Sequence, residues 1–379
     1  LGGMKYKYTS APGAMPHGLT WETATTTDIG LDFAMLRNRL TFSGDYYIRK
    51  TTDMYTVGVT LPDVFGTTSP KGNYADMTTR GWEITLTWRD QFSLVGKPFN
   101  YEIRGTLSDY ISKIDRYNNT DKSLSDYYEG QTVGEIWGYI TEGLFKDQAD
   151  IDSHASQKLI QSSSKNIWYP GDVKIKDLNN DGVIDYGTNT LDDHGDKTVI
   201  GNSLPRFSYS LNLSADWNNI FVSAFFQGVG KQDWYPSSEC IFWGQYNRPY
   251  NNMPTWHQDN YWTEKNPNAY LPRYTGYNSS VKSTVQTRYL QNVAYIRLKN
   301  LQIGYNLPKQ FVSKVCIQNA RVYLSAENLW CWSPLYKHTR DLDVTNIYGS
   351  DVDLTDGGSG DGNSYPQMKS ISLGLSLTF

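Results

Sequence analysis

The most regular feature of the chain is an alternation of apolar and polar residues along many segments. It is clearest at 369–379, where Ile371, Leu373 and Leu375 share one parity while serines and a glycine hold the other. Successive side chains of a β-strand point to opposite faces, so this pattern predicts strands with one apolar and one polar face. We predict nine such strands: 28–36, 39–49, 80–89, 100–112, 206–216, 219–228, 294–306, 320–328 and 369–379. The sequence therefore predicts an all-β fold.

One predicted strand changes phase partway along its length. In 294–306, Ile296 and Leu298 belong to one parity, and the apolar residues from Leu301 onward belong to the other. An extra residue inserted into one strand shifts the alternation by one position. We therefore predict a β-bulge near Lys299–Asn300.

The connections between the predicted strands alternate between short and long. The short ones are 37–38, 90–99, 217–218 and 307–319, and the long ones are about 50–79, 113–205, 229–293 and 329–368. A soluble sandwich spaces its strands evenly, by roughly 8–12 residues. Bacterial outer-membrane barrels instead have short periplasmic turns and long extracellular loops. The alternation of short and long connections therefore predicts an antiparallel transmembrane β-barrel with long extracellular loops.

The charges in the predicted strands support this interpretation. In 39–49, Arg39, Asp45 and Arg49 share the parity opposite to the apolar residues. An Arg or Lys that faces lipid at mid-membrane costs roughly 2–4 kcal/mol, whereas one that faces water costs little. The polar parity is therefore predicted to face an aqueous lumen, and the apolar parity is predicted to face lipid.

The barrel is predicted to be partial. Single-chain bacterial barrels have even numbers of strands, and nine is odd. An unclosed sheet would also leave backbone groups at its edges that hydrocarbon cannot satisfy. We expect 1–379 to be one domain, the C-terminal part of a larger barrel that other strands complete.

Composition narrows the class of function. The chain has 35 Lys and Arg against 39 Asp and Glu, a formal net charge of −4, whereas a nucleic-acid-binding protein would show a basic face. No apolar run is long enough to predict a transmembrane helix. The five histidines are isolated and the three cysteines are scattered, so neither an HExxH site nor a disulfide framework is predicted. We expect no catalytic residues and no organic cofactor.

One segment has the spacing of a calcium loop. In the stretch 177–185, oxygen ligands fall at the first, third, fifth, seventh and ninth positions: Asp177, Asn179, Asp181, the carbonyl of Val183, and Asp185. The stretch departs from the calcium pattern at position 12, where Thr188 replaces the bidentate Glu; Asp192, Asp193 or Asp196 could substitute for it. The alternative is a metal-free loop held by Asx-turns. Either way, the segment is expected to brace a long loop.

The long connection 229–293 is rich in aromatic residues. Candidate contacts for a ligand or a partner protein are Trp234, Tyr235, Trp243, Tyr246 and Trp256. The alternative, which we favour, is that these rings pack a core within the connection, because long loops need a core of their own.

Several stretches, in order along the chain, resemble the SusC/RagA-type TonB-dependent outer-membrane transporters of Bacteroidetes. They are YIRLKNLQIGYNLP at 295–308, RVYLSAENL at 321–329, GEIWGYITEGLF at 134–145, PGDVKIKDLNNDGVID at 170–185, Trp21–Glu22, GWEI at 81–84 and the final Phe379. Together they span nearly the whole chain.

The resemblance implies more than the residues alone. It implies a cell outer-membrane barrel of 22 strands, with a plug domain and a TonB box that are not in this chain. It also implies a SusD-like surface lipoprotein as a lid, TonB as the energising partner, and import of glycan oligomers or peptides. Phe379 would then serve as a barrel-assembly signal, although it could also be an ordinary lipid-facing ring. Two alternative functions are a soluble extracellular glycan-binding β protein and, less favoured, a secreted hydrolase.

Overall fold

The fold is dominated by one large antiparallel sheet. The computed structural model describes residues 18–58, 70–160, 167–278, 281, 284–315, 317–347 and 366–379. Its strands are β1 (Thr23–Met35), β2 (Leu40–Val57), β3 (Lys71–Leu94), β4 (Lys97–Arg116), β5 (Glu135–Tyr139), β6 (Thr141–Leu144), β7 (Val173–Ile175), β8 (Lys197–Asn202), β9 (Arg206–Trp217), β10 (Ile220–Lys231), β11 (Asp233–Trp234), β12 (Tyr261–Trp262), β13 (Leu271–Arg273), β14 (Gln291–Asn292), β15 (Tyr295–Asn306), β16 (Asn319–Trp332) and β17 (Ser370–Thr378). The helices α1 (Gln148–Asp152) and α2 (Lys309–Val312) are short, as are the 3-10 turns Lys158–Ile160, Ile241–Tyr246, Thr255–His257, Ser313–Val315 and Pro334–Lys337. Within the described ranges, no helix is long and apolar enough to cross a membrane.

The large sheet is a meander of nine strands in the order β1-β2-β3-β4-β9-β10-β15-β16-β17. All nine predicted segments lie in it, so the all-β prediction is confirmed. Every pairing in the sheet is antiparallel. Successive connections therefore lie at opposite ends of the sheet, with 36–39, 95–96, 218–219 and 307–318 at one end and the longer ones at the other.

The predicted long connection 50–79 was wrong in its extent, because most of it is strand. β2 continues to Val57 and β3 begins at Lys71. The pairing of these two strands is irregular between Thr51 and Tyr55, and Asp53 adopts a left-handed φ of 56°. Such irregularities shift the phase of the alternation. The period-two pattern therefore ends before the strand does.

The predicted bulge in β15 is confirmed. Phe225 of β10 pairs with Asn300, and the next residue, Phe226, pairs with Leu298, so Lys299 has no opposite residue on β10. The pairing of β15 with β16 shifts at the same place, between Leu298 and Asn300. The bulge keeps apolar side chains on one face along the whole of β15.

Cross-strand registers place apolar and polar side chains in separate rows. One row joins Phe33, Phe42, Leu86, Gly105, Leu211, Phe226, Leu298 and Trp330 across eight strands. The adjacent row, on the other face, joins Asp32, Ser43, Thr85, Thr106, Ser210, Gln227, Arg297 and Cys331. The sheet thus has one apolar face and one polar face from edge to edge.

Three long connections share a single hydrophobic core. We call the described residues of 117–205, 232–294 and 333–347 the loop body. Its buried side chains come from all three connections: Tyr139, Val173, Ile175 and Ile184 from the first; Trp234, Cys240, Phe242, Trp243, Tyr246, Leu271, Val281, Tyr289 and Val293 from the second; and Leu335, Leu342, Val344 and Ile347 from the third. The pairs β5–β8, β6–β7, β11–β14 and β12–β13 stiffen this body.

Candidate functional site

The apolar face of the large sheet is uncovered. In β17 the side chains of Ile371, Leu373 and Leu375 are 67%, 79% and 63% exposed, and Ile303 and Leu324 are exposed on neighbouring strands. Soluble monomers rarely expose a continuous apolar surface larger than a few hundred square ångströms. A face of this extent requires an apolar environment.

The polar face has an open depression at the end with the short connections. This depression, of about 1140 Å³, lies against β2, β3, β4, β9 and β10. Two ion pairs line it: Arg39 with Asp90 at 3.3 Å, and Arg89 with Glu102 at 2.5 Å. A polar wall opposite an apolar face is what a water-filled barrel lumen needs.

The candidate ligand-contact rings are mainly core residues of the loop body. Trp234, Trp243 and Tyr246 are at most 2% exposed. The Tyr246 hydroxyl donates to the carbonyl of Pro272, and the Trp243 indole N–H lies 2.9 Å from the carbonyl oxygen of Ser237. These three rings therefore pack the core of the loop body, which is the alternative that we favoured from the sequence.

Tyr235 and Trp256 are only partly buried against the same core. The Tyr235 hydroxyl lies 2.5 Å from the carbonyl oxygen of Val281, so its polar end is held inside the loop body. The centroid of the Trp256 ring lies 4.3 Å from that of the His257 ring and 4.9 Å from that of the Phe242 ring. Of the five candidates, these two retain surface that a ligand or partner could reach.

An ion pair with a buried carboxylate joins the first and second connections of the loop body. Arg273 Nε lies 2.6 Å from Asp172 Oδ1, and the Arg273 guanidinium also covers the Tyr169 ring at 4.5 Å. Burial raises the pKa of Asp172 above its usual value, and the Arg273 charge opposes that shift. The arrangement fixes two chain segments and leaves neither charge free for chemistry.

The segment 177–185 forms consecutive turns closed by its own side chains. Asp177 accepts the backbone N–H groups of Asn180 and Gly182 at 2.7 and 2.9 Å, and Asp181 accepts that of Val183 at 2.8 Å. Asn179 and Asp185 accept from Asp181 and Gly187 in the same way. In the described part of the chain, no group of three or more His, Cys, Asp or Glu side chains is placed to hold a metal together. Calcium binding stays a prediction.

The three possible substitutes for the missing twelfth ligand have other partners. Asp192 pairs with Lys122, and Asp193 accepts the N–H of Thr188. Asp196 is fully buried and accepts the N–H groups of Leu178 and Asp185 at 2.7 and 2.9 Å. The Asp196 carboxylate therefore holds the two ends of the segment 177–185 together. The sequence did not indicate this role, because Asp196 comes close to the segment only when the loop is folded.

Phe379 follows the end of β17 and is 76% exposed. It continues the parity of the apolar residues Leu375 and Leu377. A lipid-facing ring and an assembly signal both fit this position, so the signalling role stays a prediction.

Several known proteins are similar to this chain in sequence or in structure. The family described as "TonB dependent receptor-like, beta-barrel" matches residues 2–329. TonB-dependent receptor P26 of Formosa agariphila is 27% identical over 372 residues, which are 95% of this chain and 35% of that protein. TonB-dependent receptor SusC of Bacteroides thetaiotaomicron is 23% identical over 390 residues, 100% of this chain and 34% of that protein.

Among solved structures, the RagAB peptide importer in its closed-closed state is similar, with a TM-score of 0.65 and 19% identity over 95% of this chain and 36% of that one. At this identity the likeness shows the fold alone. The chain spans about a third of the length of these proteins. The curated relatives are named as receptors, in agreement with the prediction that the chain is not an enzyme. Since the family match covers most of the chain and the fold agrees, the chain belongs to the TonB-dependent receptor-like β-barrel family.

Proposed function

We propose that this chain forms part of the wall of an outer-membrane barrel in a TonB-dependent nutrient importer. The observation that carries the proposal is the continuous exposed apolar face, opposed by a polar face across all nine strands. Lipid stabilises such a face and water does not, which argues against a soluble glycan-binding protein or a secreted hydrolase.

The rest of the receptor would complete the barrel. In the described sheet, β1 pairs only with β2, and β17 pairs only with β16. Unpaired backbone groups at these two edges would be very unfavourable in hydrocarbon. We propose that further strands, to a total of 22, pair with both edges, and that a plug domain engaged by TonB fills the lumen. The chain's share of its relatives' length supports this.

The loop body would lie at the cell surface, where it would meet a SusD-like lipoprotein lid. The ligand would be a glycan oligomer or a peptide, as the SusC relationship and the likeness to a peptide importer support. Trp256 and Tyr235 are the rings we propose for contact with ligand or lid, since the other three candidates are buried. Calcium binding at 177–185 and an assembly role for Phe379 are further proposals.

A pair of neighbouring arginine substitutions tests the proposal. Leu213 lies on the apolar face between Ile103 and Ala224, and Ser214 lies on the polar face between Glu102 and Ser223. In the complete receptor, Leu213→Arg would place a charge in lipid at a cost of up to about 2–4 kcal/mol, depending on its depth. Ser214→Arg would point into water. We expect Leu213→Arg to lower the amount of folded receptor in the outer membrane and Ser214→Arg to leave it unchanged.

The same variants test import. A strain that lacks the receptor gene should be tested for growth on glycan oligomers and, separately, on peptides as sole nutrient. We expect it to fail to grow on one of these two kinds of nutrient. The parent and Ser214→Arg should restore that growth, and Leu213→Arg should not. Equal membrane levels for both variants would contradict the lipid-facing assignment. Normal growth of the deletion strain on every glycan and peptide tested would contradict nutrient import.

A further inference from the structure

A buried ion pair ties the loop body to the inner wall of the sheet. Arg297 lies on β15, in the polar row beside Gln227 and Cys331. Its guanidinium forms a salt bridge with Asp343, in the third connection of the loop body. The two side chains are only 4% and 6% exposed.

Asp343 is the centre of this contact. Besides the Arg297 guanidinium, its carboxylate accepts the N–H of Thr345 at 3.0 Å, the hydroxyl of Thr345 at 2.7 Å and the N–H of Gln367 at 2.9 Å. The Asp343 carboxylate thus holds together two parts of the connection between β16 and β17: the part around Thr345 and the part at Gln367, just before β17. Its neighbours Leu342 and Val344 are buried in the shared core. Asp343 is therefore fixed to the loop body through its backbone and to the wall through its side chain.

Lys299, the bulge residue of β15, adds a further contact on the wall side. Arg297 Nη1 and Lys299 Nζ both lie close to Gln367 Oε1, at 3.1 and 3.2 Å. Arg297 Nε has no hydrogen-bond partner among the described residues. The site thus holds two cationic side chains, Arg297 and Lys299, near the single carboxylate of Asp343. Separating Asp343 from the wall would leave the buried Arg297 guanidinium without its counter-ion, which is strongly unfavourable.

We propose that the Arg297–Asp343 pair is a latch that seats the third connection on the lumenal wall and controls whether the loop body can lift away from β15. This inference rests on the proposed function, because it takes the polar face to be the lumen. A lid or ligand that moves the loop body would have to break this contact.

Proteolysis of the complete receptor in outer-membrane vesicles tests the latch without requiring ligand or TonB. Lys337 and Arg340 are exposed trypsin sites in the third connection. When opening is fast relative to cleavage, the cleavage rate follows the population of the open state. We expect Asp343→Asn and Arg297→Met to raise the rate at these sites by about tenfold or more, the change that corresponds to 1.4 kcal/mol.

Arg89→Met is the matched control, because Arg89 also pairs across the polar face, with Glu102, but is 61% exposed. It should leave cleavage at Lys337 and Arg340 at the parent rate. If the buried-pair variants fail to reach the membrane, Lys299→Met serves instead. It removes one donor to Gln367 and should raise the rate by a smaller factor of about two to five, since only one hydrogen bond is lost.

Parent-like cleavage of all variants that fold would overturn the latch. Because the readout needs no import, that result would leave the proposed function standing. Conversely, a receptor that imports no nutrient but shows the expected order of cleavage rates would support the latch and contradict the import function.

Discussion

At the scale of single residues, the loop body contains a histidine held in its neutral form. His257 is fully buried, and its Nε2 lies 3.0 Å from the carbonyl oxygen of Phe242. Since a carbonyl only accepts, Nε2 carries the hydrogen, and Nδ1 has no partner among the described residues. Burial lowers the pKa of His257 from 6.5 to about 4, because the charged ring would lose its hydration.

This lowered pKa predicts that mild acid destabilises the loop body. Between pH 6.5 and 4 the unfolded segment binds a proton that the folded one excludes, so stability falls as pH falls. From pH 7 to 5 the loss should be about 2 kcal/mol from His257. Burial also lowers the pKa of His338, which adds an effect of the same sign. Thermal unfolding, followed by tryptophan emission at pH 7, 6 and 5, measures this loss of stability.

The control is His257→Gln, which has no group that titrates in this range. Its midpoint should fall less between pH 7 and 5 than that of the parent. An equal fall in both proteins would assign the acid sensitivity to other groups.

The sequence identified the candidate residues only in part, for physical reasons. Aromatic enrichment in the predicted connection 229–293 correctly indicated a loop with its own core. It could not indicate which rings keep exposed surface, because their burial depends on the other two connections. Arg297 and Asp343 carried no local signal, and Asp196 was marked only as a possible calcium ligand, not as the acceptor for the N–H groups of Leu178 and Asp185. Each acts through a partner distant in sequence, and such partners become neighbours only after folding.

At the scale of elements, alternation predicted the nine long strands well, because the side chains of each strand alternate between the apolar and the polar face of the sheet. It failed at the strand ends near Asp53, where irregular pairing breaks the period. The short strands β5 to β8 were not predicted, since strands of three to six residues inside a loop body need no regular alternation.

The segment 177–185 gives a prediction at this scale. Asp196→Ala would leave the half-buried N–H groups of Leu178 and Asp185 without their acceptor, at a cost of up to about 1–3 kcal/mol each. Asp181 is exposed, so water can replace its contacts after Asp181→Ala. In EDTA we expect protease cleavage within 171–200 to be faster in Asp196→Ala than in Asp181→Ala, and Asp196→Asn to be intermediate.

Repeating the measurement with calcium tests the ion. If the segment binds calcium, cleavage of the parent should slow when calcium replaces EDTA, and cleavage of Asp181→Ala should not. Equal parent rates in calcium and EDTA would reject the calcium proposal and favour the metal-free turns.

At the scale of the whole molecule, the meander sends the long connections to one end and the short ones to the other. In the proposed receptor these ends lie on opposite sides of the outer membrane. Tyr250, in the second connection of the loop body, is 72% exposed, and Val95, in the turn between β3 and β4, is 84% exposed. A membrane-impermeant maleimide should label Tyr250→Cys in intact cells, and it should label Val95→Cys only after the outer membrane is opened.

The parent receptor, which carries only its native cysteines, supplies the blank for this experiment. Of the three cysteines of this chain, Cys240 is buried and Cys331 is half-buried, so these two are poorly accessible to the reagent. Cys316 lies outside the described residues, so the blank also measures any labelling of its thiol. Labelling of Val95→Cys but not of Tyr250→Cys in intact cells would reverse the assigned orientation.

The shared core of the loop body also has an evolutionary consequence. Side chains from three connections, such as Ile175, Trp243 and Leu342, fill one interior. A change of volume in one connection must then be matched in another, since protein interiors are closely packed. Related receptors should therefore diverge in two ways: exposed tips such as Tyr250 one position at a time, and core positions in correlated sets that span all three connections.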